Sequence, residues 1–150
     1  MRKPDFIIGE IDSPYLLRWW LIPRNKYFNI YLHKFCRSDD DQALHDHPWF
    51  NISFILKGKY TEHMPADRYK WISNGDREVA TKTRYPLIPV FRDSNSIHRV
   101  ELIKGKPVWT LFITGPWRRN WGFWCPFGWR PWREFVSITK GGNETGRGCE

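Results

Sequence analysis

From residue 27 to residue 114 the chain is written as short runs of alternating side chains separated by turn signals. Nowhere do apolar residues recur at a helical period between capping residues. Runs at 5–10, 15–22, 27–35, 51–57, 59–63, 79–85, 86–92, 97–103 and 107–114 read as strands. Ser13-Pro14, Pro23, Gly58, Pro86, Asp93-Ser94-Asn95 and Lys104-Gly105-Lys106 punctuate them, and the polar stretch 64–77, with Pro65 and Asn74-Gly75, reads as a loop or hairpin. Many short strands at regular spacing predict an all-β sandwich or barrel. At 150 residues the chain is long enough for one domain with a real core.

Strand side chains alternate, so each run has two faces. In 27–35, Phe28, Ile30 and Leu32 share one face, and Tyr27, Asn29, Tyr31 and His33 the other. In 51–57, Ile52, Phe54 and Leu56 form a wholly apolar face that needs a cover. Asn51, Ser53 and Ile55 form the other, whose polar groups suggest a lined cavity rather than a solid core.

His45-Asp46-His47 places two imidazoles on one side of an extended segment. His98 lies two residues before Val100 and four before Leu102. It therefore points inward if those two are core, with Arg99 and Glu101 outward. A late strand can meet an early one across an antiparallel barrel. Three neutral imidazoles with coordination positions left open make a catalytic-type metal site, whereas structural sites are closed by four ligands. A single histidine on an apolar face is ordinarily a satisfied core residue. The paired spacing and the third ring weigh against that reading here.

These residues resemble the two motifs of the cupin superfamily over about residues 27–114. The first motif runs histidine, any residue, histidine, three or four residues, glutamate, six residues, glycine. Here His45, His47 and Gly58 match, and Asn51 stands at the glutamate. The second motif carries proline and glycine before its histidine. Asp93 and Asn95 stand there, and Asn tolerates the left-handed turn that glycine would make. Leu102 replaces the asparagine that commonly follows. The resemblance implies a double-stranded β-helix, or jelly-roll barrel, with one divalent transition metal held by His45, His47 and His98. Lacking the glutamate, the site is similar to the three-histidine cupins, such as the thiol dioxygenases.

Imidazole suits iron first for an oxygenase, but also nickel, zinc, manganese or copper. The reading is a mononuclear iron oxygenase acting on a small molecule. The alternatives are a Lewis-acid or non-catalytic cupin that binds a small anionic ligand, and a nucleic-acid binder. Arg92 and Arg37 are candidate clamps for a carboxylate or phosphate. Tyr31 or Tyr60 is a candidate proton donor, and Asn51 joins Arg92 and Tyr60 in the candidate catalytic set. Glu62 is a candidate fourth ligand. His33 and His63 read as surface or supporting residues, His33 near the cavity mouth.

The expected domain is 1–136: N-terminal strands in 1–26, the motif core in 27–114, and a Trp/Arg-rich extension in 115–136. A flexible tail is expected over 137–150. The net charge is +8, concentrated in part in that extension (Arg118, Arg119, Arg130, Arg133). Trp109, Trp117, Trp121, Trp124, Trp129 and Trp132 interleave with those arginines. Such a mixture can stack bases. It reads here as an irregular lid of indoles and guanidiniums over the Ile52–Phe54–Leu56 face, so nucleic acid is not the expected partner. A homodimer fits the family. The acidic run 39–41 lacks the glycine and distal glutamate of a calcium loop and reads as a solvated turn. Three scattered cysteines make no disulfide framework and no zinc-ribbon pair, and Cys125 reads as a buried thiol. No run of about twenty apolar residues and no apolar leader is present, so a cytoplasmic protein without a membrane span is expected.

Overall fold

The computed structural model describes residues 1–39, 43–136 and 147–150. Its strands are β1 (Phe6–Glu10), β2 (Ser13–Trp20), β3 (Asn29–Phe35), β4 (Leu44–His45), β5 (Asn51–Lys57), β6 (Tyr60–Pro65), β7 (Val79–Arg84), β8 (Val90–Arg92), β9 (Arg99–Leu102), β10 (Val108–Thr114), β11 (Gly122–Cys125) and β12 (Gly128–Pro131). Two short helices, α1 (Arg68–Ser73) and α2 (Trp132–Phe135), interrupt them. One layer is a six-stranded antiparallel sheet in the order β1-β2-β3-β10-β5-β8. Two three-stranded sheets, β12-β11-β4 and β7-β6-β9, are joined by a bridge between His45 and His98. The architecture is a double-stranded β-helix.

The alternation read from the sequence fixes the inner face. On β5, Asn51, Ser53 and Ile55 are buried, while Ile52 and Phe54 are less so and Leu56 is exposed. On β3, Asn29, Tyr31 and His33 are buried. Register carries this face across the sheet. Phe112 of β10 stands opposite both Tyr31 and Ser53, and Thr114 opposite both Asn29 and Asn51. The dry end of the core is Ile55, Tyr60, Val100, Leu102 and Val108, with Phe35 packed against it. Gly58 turns β5 into β6 at φ 91°, and a Cβ there would meet the Val108 side chain at 3.0 Å. This position requires glycine.

Several expectations need correction. Ser13 and Pro14 do not break the chain but open β2, paired with β1. The stretch 64–77 contains α1, started by the Asp67 carboxylate accepting from the Lys70 amide and anchored by buried Trp71. Trp71 packs with Leu44 and Ile97 in a second core cluster that Trp124 also touches. The strand expected over 86–92 is only β8, and β9 begins after His98 rather than before it. Arg99, expected outward, is 9% exposed.

The extension departs most. It is not an irregular lid over Ile52, Phe54 and Leu56 but a β11–β12 hairpin whose β11 pairs with β4, placing Phe123 opposite His45. A Cβ on Gly122 would sit 2.1 Å from the Arg130 carbonyl, so only glycine lets these strands approach. Cys125 is not a thiol: it is disulfide-bonded to Cys149, leaving Cys36 free. The expected tail falls mostly outside the described residues. Residues 147–150 are held, with the Gly148 amide donating to the Phe135 carbonyl and Arg130 donating to the Gly148 and Glu150 carbonyls. Of the acidic run only Asp39 is described, and its carboxylate accepts from the Val100 amide at 2.6 Å. No helix among the described residues is long and apolar enough to cross a membrane.

Candidate metal centre

Three imidazoles converge between the layers. Ring centroids lie 5.1 Å apart for His45–His47, 4.9 Å for His45–His98 and 5.0 Å for His47–His98. One ring nitrogen from each falls within 4.8 Å of the others, close enough for one cation after small side-chain rotations. Two features of the backbone bring them together. His45 and His98 exchange both main-chain hydrogen bonds, His45 N to His98 O at 2.8 Å and His98 N to His45 O at 2.9 Å. His47 follows just past the end of β4, where the chain brings its ring to 5.1 Å from that of His45 and 5.0 Å from that of His98.

The donor chemistry fits a cation. His98 Nδ1 lies 2.6 Å from Glu62 Oε1, leaving Nε2 buried with no hydrogen-bond partner. His47 Nδ1 is likewise buried and unbonded. An unpaired nitrogen in a protein interior is costly, and a metal ion would remove that cost. Burial and neighbouring positive charge keep the His47 and His98 rings neutral. The His47 pKa lies well below the ordinary value. That of His98 is lowered to about 4 by burial and by Arg92, against the pull of Glu62. Neutral imidazole is the ligating form.

Glu62, weighed above as a fourth ligand, stands behind His98. Its carboxylate is wholly buried and accepts from Arg92 Nε at 2.7 Å, from Arg84 Nε and from His98. Burial alone would raise its pKa. The His98 hydrogen bond and the charges of Arg92 and Arg84 reverse that and hold it ionised. A carboxylate behind a ligating imidazole fixes the tautomer and the ring orientation. Arg92 also donates to Asn51 Oδ1 at 3.3 Å and to Tyr60 Oη at 3.1 Å. Arg92, Asn51 and Tyr60 therefore lie together beside the triad as one buried network, with the Arg92 guanidinium bonded within it. Asn51 Nδ2 remains buried without a partner, as do Thr110 Oγ1 and Thr114 Oγ1. Thr110 and Thr114 belong to the inner face of β10.

The sequence reading missed Asp46. Between two inward histidines it must point the other way, yet it is 1% exposed. Its carboxylate accepts from the Gly122 amide at 2.8 Å, from Trp129 Nε1 at 3.0 Å and from Trp124 Nε1 at 3.3 Å. Arg119 reaches it at 3.2 Å and donates to the His47 and Ser94 carbonyls. The Trp/Arg-rich hairpin is thus tied to the His45–His47 segment through the residue between the two candidate ligands. The remaining candidates lie elsewhere. His63 pairs with Glu101 at 2.6 Å, and Arg37 Nε donates to the Ser13 carbonyl. Buried His33 accepts from Arg18 Nε at 2.8 Å and stacks on Tyr31.

No protein-family model matches the chain, and no curated protein matches it in sequence. Solved structures do match in shape. One is an uncharacterized conserved protein with a double-stranded β-helix domain from Klebsiella pneumoniae, at TM-score 0.54 and 8% identity, over 79% of this chain and 90% of that one. Another is the polyketide cyclase RemF of Streptomyces resistomycificus, at TM-score 0.54 and 14% identity, over 81% and 74%. A third is the Fe(II) form of HppE, at TM-score 0.56 and 14% identity, over 76% of this chain but 59% of that one. At these identities the likeness speaks to fold. The chain has the double-stranded β-helix fold.

Proposed function

We propose that this chain is a mononuclear metal-dependent cupin that binds one divalent cation through His45, His47 and His98 and acts as an oxygenase on a small, anionic molecule. The convergence of three imidazoles carries the reading, two of them with a buried, unbonded nitrogen and one held in place by Glu62. Three protein ligands leave positions for other molecules, as catalytic sites require. When bound, a divalent iron supplies the redox chemistry that lets dioxygen react with an organic substrate. HppE, similar in fold, is an iron-containing structure by its name, which supports iron over its competitors.

The protein's own groups set the surroundings. Neutral ligands leave the cation's charge uncompensated, which favours an anionic substrate. Glu62 orients His98, and Arg92 acts through Glu62 as a positioning residue. Asn51 turns an unbonded amide N–H to the inner face and is the donor proposed to meet the substrate. The Tyr60 hydroxyl accepts from Arg92, which leaves its own proton to donate.

Elemental analysis of protein purified without an affinity tag tests this. Near one equivalent of iron per chain is expected, lost in His47→Ala. The Fe(II)-loaded protein should give the high-spin iron–nitrosyl EPR signal with nitric oxide, the mark of an open position. No bound metal would refute the reading, and zinc or nickel at one equivalent would move the reaction to Lewis-acid chemistry.

A further inference from the structure

Arg92 is bonded within the buried network, yet an uncompensated cation calls for an anion. The inner face holds a second arginine in a different state. Arg18 of β2 stands opposite His33 in register. Its Nε donates to His33 Nε2 at 2.8 Å, and its guanidinium carbon lies 4.7 Å above the Tyr31 ring. His33 is held well below its ordinary pKa, first by burial and then by Arg18 itself. Among the described residues no carboxylate pairs with Arg18. Arg24, the next cation, is near enough to repel it and lies 5.6 Å over Trp20, which is opposite Tyr31. Burial draws the Arg18 pKa down only to about 10, so it stays charged at neutral pH. A half-buried charge with no counter-charge is costly unless something else supplies one.

The same wall leads to the triad. His33 stacks on Phe112 at 4.9 Å, Phe112 meets Trp49 edge-on at 5.6 Å, and Trp49 stacks on His47 at 5.2 Å. Phe112, Trp49 and Arg18 each keep part of their surface open to solvent. An apolar aromatic path thus runs from an unpaired cation to a candidate ligand.

We propose that Arg18, assisted by Arg24, anchors the oxyanion of the substrate, a carboxylate or a phosphate. The organic body then lies over Phe112 and Trp49 and presents its other end to His45, His47 and His98. This rests on the metal-cupin reading for the far end only; the anchor stands on the arginines. It names the substrate class: a small molecule with an oxyanion at one end and an apolar or weakly polar body.

The test is calorimetric titration of metal-free protein with inorganic phosphate and, separately, with acetate at low ionic strength, metal uptake being measured on parallel samples. One anion site per chain is expected, and the stronger of the two anions identifies the headgroup. Arg18→Gln should weaken it at least tenfold while metal uptake stays unchanged. Arg24→Gln, at an exposed position where folding is not at stake, should weaken it about threefold. Binding unaltered in Arg24→Gln, binding within twofold of wild type in a folded Arg18→Gln, or no anion site at all overturns the anchor. Normal metal uptake without an anion site defeats the anchor alone. Anion binding through Arg18 without metal uptake supports the anchor and defeats the metal reading.

Discussion

A histidine offers a cation only the nitrogen that carries no proton, so the group bonded to its other nitrogen decides whether it can ligate. For His98 that group is Glu62. Glu62→Gln keeps the shape but removes the charge on which His98, Arg92 and Arg84 all rely. Metal affinity should fall roughly 10–100-fold, as for other carboxylates behind ligating histidines. Breaking a buried ion pair should also cost about 3–5 kcal/mol of stability. A competition titration with a chromophoric chelator and a urea melt measure the two losses separately. An unchanged metal affinity would mean that Glu62 serves packing alone.

The same buried rings govern acid stability. His33, His47 and His98 all have folded pKa values below the ordinary 6.5, that of His98 about 4. The unfolded chain therefore takes up their protons first as pH falls. Between about 6.5 and 4 the unfolded state binds more protons than the folded one, so stability is lost on acidification. Each ring contributes up to about 1.4 kcal/mol per pH unit. Glu62, with its pKa depressed, adds a loss of the same sign at lower pH, below its ordinary 4.5. Urea midpoints at pH 7.5, 6.5 and 5.5 should fall steeply only over the last interval. A flat profile would place these rings in contact with water.

At the scale of elements, the β11–β12 hairpin is a brace for β4 and the segment after it, which carry two of the proposed ligands, His45 and His47. Asp46→Ala would strand the Gly122 amide, two indole N–H groups and Arg119 without their acceptor. The expected cost is about 2–4 kcal/mol, since each unsatisfied buried group carries a penalty of roughly 1–3 kcal/mol and some will find water. Loosened histidines should weaken metal binding as well. The Cys125–Cys149 disulfide closes the brace over a separation of 24 residues, worth about 3 kcal/mol by chain-entropy arguments. Reduction should lower the melting temperature by roughly 6–12 °C. Cys149→Ser should melt at the lower temperature with or without reductant; equal melting of oxidised and reduced wild type would contradict the brace.

Across the whole molecule, what was legible in the sequence was local. Period-two alternation sorted Asn51, Ser53 and Ile55 from Ile52, Phe54 and Leu56 without reference to any other strand. The spacing of His45, His47 and His98 pointed to three rings that the fold does bring together. What was hidden depended on distant partners. Helix α1 has six residues, too few to display a period, and announces itself only through Asp67 and Trp71. The Trp/Arg-rich extension reads as a loose cover until the close approach of Gly122 to Arg130 and its pairing with β4 are seen. Asp46 and Arg18 are charged residues that a one-dimensional reading sends to solvent. Their neighbours lie 76 residues away at Gly122 and 15 away at His33.

X-ray absorption on the metal-loaded protein reports the ligands themselves. The expected spectrum shows nitrogen or oxygen neighbours at about 2.0–2.2 Å with outer-shell scattering from three imidazoles per metal, falling to two in His98→Ala. A bound metal without imidazole scattering, or the same spectrum after removal of His98, would contradict the convergence of these three rings on one cation.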